Sequence, residues 1–104
     1  MKVWVDDVRE APDGYEWCKN VCDAIYEIEG AYMYDYAGVI PDTVEVIDMD
    51  HDAGDYAKFG GDYIKLLDWL EEKGYNIPIH IHSMNPVGVE NMRRIIRRNN
   101  WKEV

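Results

Sequence analysis

Little in this sequence equips it to be cross-linked, embedded in lipid or spread along nucleic acid. Its only cysteines are Cys18 and Cys22, too few for a disulfide framework or a four-thiolate metal site. They read as inert thiols on different elements of a reduced, cytoplasmic protein. No apolar run approaches the ~20 residues that span a bilayer, and the opening MKVWVDDVRE turns acidic too early for a secretory signal. Repeats, low-complexity tracts and Ser/Gly linkers are missing too, so residues 1–104 read as one domain. Cations are scarce in one half. Residues 1–52 hold 14 Asp/Glu against 3 Lys/Arg, whereas residues 53–104 hold 7 against 8. The formal charge of −10 argues against duplex DNA and anionic membrane as partners, because phosphates repel it. A small phosphorylated ligand, held at a local positive site or through a bound cation, remains compatible with it.

What is present is the balance of an ordinary globule, 47% hydrophobic and 31% charged. Lys2–Asp6, Thr43–Asp48 and Ile77–His82 read as buried strands, with Tyr15–Lys19 and the terminal WKEV as weaker candidates. In the third, Ile77, Ile79 and Ile81 face one way and His80 and His82 the other. Helical periodicity links Val21, Ile25, Ile28 and Tyr32 behind an Asn20 cap. A second helix over Gly61–Lys73 carries Ile64, Leu67 and Leu70 and stops at Gly74. The last begins at the Asn85–Pro86 cap and buries Val89, Met92 and Ile96. Strands alternating with helices imply βαβ crossovers. The expected fold is a small three-layer, doubly wound α/β domain with a mostly parallel sheet, receiver-like or flavodoxin-like.

Ligands of open parallel sheets bind beyond the carboxyl ends of the strands, and here those ends are unusually polar. Asp6, Asp7 and Arg9 follow the first strand. Asp50, His51, Asp52 and Gly54 follow the second, and Ser83 and Asn85 lead from His82 into a helix N-terminus at Pro86–Gly88. Two carboxylates ~5 Å apart at an effective dielectric of ~20 repel by roughly 3 kcal/mol. A divalent cation, Arg9 and the histidines, or a raised carboxyl pKa would offset that. Asp6, Asp7, Asp50 and Asp52 are the candidate metal ligands, for Mg²⁺, Mn²⁺ or Ca²⁺, with His51 or His82 moving the preference toward Mn²⁺ or Zn²⁺; Mg²⁺ or Mn²⁺ is the expected ion. The bland alternative is that each aspartate only caps a turn.

Three stretches carry a family resemblance. DDVR (Asp6–Arg9), DMDHDAG (Asp48–Gly54) and HSMNPVG (His82–Gly88) resemble the LDD-x-R, SLDHDLG and HS-x-NPVG patterns of the cyclic-phosphate processing receiver-like domain. Order and spacing agree over roughly residues 2–95. Val5, Asp48 and Ala53 stand where the patterns have Leu, Ser and Leu. The resemblance implies a remodelled receiver-like site acting on cyclic phosphates, such as 2′,3′-cyclic ends left by RNA cleavage or related nucleotides. Carried onto this sequence, it implies a site of Asp6, Asp7, Arg9, Asp50, His51, Asp52, His82, Ser83 and Asn85.

Opening a cyclic phosphodiester needs a base for water and an acid for the leaving alkoxide. His51 and His82, with Asp50, are the candidate catalytic residues. Arg9, Ser83, Asn85 and the backbone of Val87 and Gly88 are the candidate phosphate ligands. The expected partner is a small nucleotide or an RNA end bearing a cyclic phosphate. The aromatic run Tyr32–Tyr36 is open to a base, to a homo-oligomer contact or to solvent. Arg93, Arg94, Arg97 and Arg98 suit either the helix dipole or an RNA contact. Two other readings use the same residues. One is capture of a cyclic nucleotide or oligonucleotide signal without cleavage. The other is a phosphoacceptor receiver with Asp50 as acceptor and Lys102 as its lysine, although the histidines then have no role and the chain to Val104 leaves no closing helix.

Overall fold

The computed structural model describes residues 1–33 and 44–104. Tyr34, Tyr36 and the predicted start of a strand at Thr43 lie outside the described residues, as do the side chains of Tyr32 and Met33. Four parallel strands form one sheet in the order β2-β1-β3-β4, with β1 Lys2–Val5, β2 Tyr15–Cys18, β3 Val46–Met49 and β4 Ile79–Ile81. Helices α1 Val21–Met33, α2 Ile64–Lys73 and α3 Pro86–Arg98 follow β2, β3 and β4. This is the α/β, parallel, receiver-like architecture expected from the sequence.

The local signals act as their chemistry requires. The Asn20 side chain accepts the Asp23 N–H at 2.7 Å and Asn85 accepts that of Gly88 at 3.0 Å, so both predicted caps close. Gly74 ends α2 in the left-handed region at φ 73°. Several boundaries differ from the prediction, β3 among them, which spans Val46–Met49 rather than Thr43–Asp48. Pro78 has no N–H to donate, and β4 shrinks to Ile79–Ile81. The chain enters α2 only at Ile64, because Gly60 and Gly61 hold φ 114° and 93°, which no helix contains. The terminal segment contributes a single bridge, Glu103 to Ile79. In α3 the buried stripe is Gly88, Met92, Ile95 and Ile96. Val89 is only half-buried.

The register decides which way each strand residue looks. Val3, Val5, Cys18, Ile47, Met49 and Ile79 share one sheet face, and all are buried in the single core with Val21, Ala24, Ile28, Leu66, Leu67, Leu70, Met92 and Ile96. Lys2, Trp4, Tyr15, Trp17, Val46, Asp48 and His80 share the opposite face, and none of them is buried. Among the described residues the helices therefore cover one face only, and the third layer of the expected doubly wound arrangement is not found there. Handedness supplies the reason. Right-handed crossovers that step the same way across a sheet put their helices on the same face. The steps β2 to β3, β3 to β4 and β4 to the terminal bridge all run one way. The one opposite step, β1 to β2, is spanned by Asp6–Gly14, which contains no helix. No described helix is long and apolar enough to cross a membrane.

Candidate active site

The strands β1, β3 and β4 hand their polar residues to the same rim. The side-chain oxygens of Asp6, Asp7 and Asp50, from the ends of β1 and β3, lie within 4.8 Å of one another. Asp6 is fully buried. Its Oδ1 accepts the backbone N–H groups of Val8 and Arg9 at 2.9 and 3.0 Å. Its Oδ2 faces His82 Nε2 at 2.8 Å and the Arg9 guanidinium at 3.3 Å. Burial opposes its charge, but those donors outweigh it and hold the carboxyl below its ordinary value. Arg9 also reaches Asp50 at 3.6 Å, so one guanidinium spans two carboxylates. Asp7 goes the other way: burial, then the nearness of Asp6 and Asp50, raises its carboxyl. Gly54, at φ 54°, gives Asp7 its room, because a Cβ there would meet Asp7 Oδ2 at 2.6 Å. Behind the cluster Tyr63 is buried and donates to the Lys19 carbonyl at 2.7 Å. Burial, then the three carboxylates, pushes its phenol up.

His82 has no nitrogen to spare. Nδ1 lies 2.6 Å from Asp48 Oδ1 and Nε2 lies 2.8 Å from Asp6 Oδ2. Ionised carboxylates only accept, so each contact calls for an N–H on the ring. The imidazole also stacks on the Trp4 indole, centroids 4.1 Å apart and planes 8° from parallel. A ring held on two edges and one face orients Asp6. It is not poised to exchange a proton with a ligand.

His51 is arranged differently. Its Nδ1 lies 2.8 Å from Asp52 Oδ1, and among the described residues Nε2 has no hydrogen-bond partner. Asp52 in turn accepts from Asn85 Nδ2 at 3.3 and 3.4 Å. The His51 hydrogen bond, ahead of burial and aided by Asn85, holds the Asp52 carboxyl low. An ionised carboxylate on Nδ1 fixes the tautomer that leaves Nε2 free as a base. The ring lies against Gly88, where any Cβ would collide with its Cγ. Only glycine lets the first turn of α3 approach His51 this closely.

The structure thus brings together Asp6, Asp7, Arg9, Asp50 and His82 as one cluster of hydrogen bonds, ion pairs and close carboxylates, with the pair His51–Asp52 beside it through Asp50, whose Oδ1 accepts the His51 N–H at 2.8 Å. Asp52 stands outside the three-carboxylate group, turned to His51 and Asn85. Ser83 Oγ accepts the Asn85 N–H at 3.1 Å. The Gly88 N–H, expected to meet a phosphate, is already used by the Asn85 cap, which leaves Val87 as the amide to offer there. His80 lies off the site, with Nδ1 2.6 Å from the Val104 carbonyl. Lys102 is remote: Glu103 is level with Ile79 and hence with Ile47, so Lys102 sits four residue steps, about 13 Å, below Asp50 along the strands. Three of the four α3 arginines are paired, Arg93 with Glu103, Arg97 with Glu90 and Arg98 with Glu71, which favours their structural reading. Cys18 is buried in β2, where burial, then nearby acids, lifts its thiol to about 12, and Cys22 is exposed on α1. Both thiols are free.

Sequence reasoning missed Asp48 and Trp4, the two groups that fix His82. A signal existed. Strand period two puts Trp4 with Asp6, Asp48 with Asp50 and His80 with His82 on the same face.

With this geometry in hand, the comparisons with known proteins can be given. The family model described as the cyclic-phosphate processing Receiver domain matches residues 1–98. No curated protein and no solved structure matches the chain.

Proposed function

The chain belongs to the cyclic-phosphate processing receiver domain family, and from that premise we propose a phosphoesterase that opens the cyclic phosphate of a nucleotide or RNA end. The observation that carries this reading is a histidine with one free nitrogen, oriented by Asp52, beside three clustered carboxylates. His51 Nε2 takes a proton from water as its oxygen bonds to phosphorus. The bond from phosphorus to one ring oxygen breaks, and the imidazolium returns the proton to that oxygen. The product is a phosphomonoester. Arg9, drawn off Asp50, and the Val87 amide hold the phosphoryl oxygens.

Asp7 and Asp50, with Asp6 behind them, are the residues that would hold a divalent cation. The donor set fits a hard ion. It is all oxygen, because His51 is turned to Asp52 and His82 is filled, and this suits Mg²⁺ or Mn²⁺. Bound there, the ion would neutralise charge developing on the phosphoryl group. The same reading keeps the protein in the cytoplasm, without duplex DNA or membrane as partner.

The test is incubation with 2′,3′-cyclic nucleotides and cyclic dinucleotides, with and without Mg²⁺ or Mn²⁺. Metal-stimulated release of a phosphomonoester is expected, lowered about 10²- to 10⁴-fold by His51→Ala. One observation favours a second reading, capture without cleavage: His82 is saturated, so only one histidine of the site is free to move a proton. Stoichiometric retention of intact ligand would establish that reading. Labelling of Asp50 by a small phosphodonor would establish a phosphoacceptor instead.

A further inference from the structure

On the sheet face that no described helix covers, β1 and β2 present aromatic and cationic residues. By register, Trp4 and Trp17 are neighbours across β1 and β2, with Lys2 and Tyr15 one pleat below them. Trp4 meets Tyr15 edge-on at 6.0 Å. Lys2 Nζ lies 5.6 Å from the centre of the Tyr15 ring and Lys19 Nζ 4.6 Å from that of Trp17. Trp17 is 36% exposed, far from the usual state of an indole in a small domain.

The charge on this face inverts that of its half of the chain. Residues 1–52 hold only three cations, and two of them, Lys2 and Lys19, lie here, while the Arg9 guanidinium reaches Asp6 and Asp50 at the rim. Lys2 and Lys19 cover the rings, and the Arg9 carbonyl accepts the Trp4 indole N–H at 2.8 Å. The only acid among the strand residues of the face is Asp48, which His82 engages. The face is also continuous with the rim. Trp4 stacks on His82, and the Trp17 indole donates to the Asp6 carbonyl at 2.8 Å.

We propose that the sheet face that no described helix covers is a stacking platform for single-stranded RNA, bound with its cyclic-phosphate end in the rim site. This rests on the proposed phosphoesterase reading and narrows its substrate class, from any cyclic nucleotide to an RNA end with nucleotides preceding the phosphate. The bases stack on Tyr15 and Trp17, while Lys2 and Lys19 swing from the rings to the phosphates between them. Stacking on exposed aromatics of a sheet is sequence-tolerant and outweighs an unfavourable net charge only where the local charge is positive, which is the arrangement found here.

The experiment measures binding of a fluorescein-labelled RNA tetranucleotide ending in a 2′,3′-cyclic phosphate, alongside handling of a 2′,3′-cyclic mononucleotide, in one buffer. The intact chain is expected to bind the tetranucleotide tenfold or more tighter than the mononucleotide. Tyr15→Ala and Trp17→Ala should each weaken tetranucleotide binding about 5- to 150-fold, the range of one lost stack. Trp17→Phe should restore most of that loss, which separates stacking from misfolding. Tyr15→Ala should leave the mononucleotide unaffected. Equal affinity for the two ligands, or Tyr15→Ala and Trp17→Ala variants that bind the tetranucleotide as well as the parent, overturns the proposal. So does a concentration-dependent dimer that Tyr15→Ala dissolves, because the face would then belong to a second copy. Tight, Tyr15-dependent binding of an RNA that is never opened would retain the platform and refute the phosphoesterase, so the two failures are distinct.

Discussion

Two charged regions of this molecule are built on opposite plans. On the helical flank, Glu71, Glu90 and Glu103 meet Arg98, Arg97 and Arg93 one for one, in pairs open to solvent. At the strand-end rim, Asp6 and Asp50 share one guanidinium with Asp7 beside them, and Asp6 shares His82 with Asp48. Exposed balanced pairs contribute little to stability because water already solvates both ions. An unbalanced, partly buried cluster costs the fold free energy that a bound ligand or ion would recover, which is a mark of a functional site. The contrast separates charge that its neighbours and water already satisfy from charge that a ligand or ion could still satisfy.

The sharpest way to break the contrast is Asp6→Ala. It strands the His82 ring beside Asp48 alone and frees two backbone N–H groups in a buried site. The expected loss is about 3–5 kcal/mol, read by urea denaturation.

Asp7→Asn should do the reverse. A carboxyl raised on folding favours the folded state at low pH, and that contribution is lost as the pH rises through its folded-state value. At pH 7 the wild type therefore carries an unfavourable charge that the amide lacks. A gain on the order of 1 kcal/mol is expected, with activity reduced, and the gain should vanish as the solution is acidified below about pH 4. A stability change that ignores pH would show that Asp7 does not repel its neighbours.

The smallest effect belongs to Glu71→Gln on the exposed flank. The Arg98 hydrogen bond, then that of Asn99, lowers the Glu71 carboxyl. A lowered acid favours the fold above its ordinary value, and that contribution is lost as the pH falls through the folded-state value. A slight drop in Tm at pH 7, closing on acidification and in high salt, is the expected outcome.

Much of the site was legible because its residues are local to strand ends. Asp6, Asp7, Asp50, His51 and His82 each follow an apolar run, and the parallel sheet carries such positions to one edge. The Asn85 cap was equally clear, since Asn-Pro before an apolar helix has one common use. The partners of His82 were hidden for a physical reason. Asp48 and Trp4 belong to strands 34 and 78 residues away from it in the chain, and although strand period marks their face, only register sets the hydrogen bond to Asp48 and the stack on Trp4. Among the described residues the helices share one sheet face because Asp6–Gly14, which joins β1 to β2, has neither the period nor the length of a crossover helix. The strand Tyr15–Cys18, read as weak, was the clue.

By itself the sequence determined the elements, their caps and the acidic strand ends, because periodicity, turn chemistry and helix capping act over a few residues. Tertiary structure alone decided that, among the described residues, His82 is clamped while His51 keeps a free nitrogen, and that no described helix covers the aromatic face of the sheet. Those outcomes depend on strand register and crossover direction, which exist only once distant segments have come together.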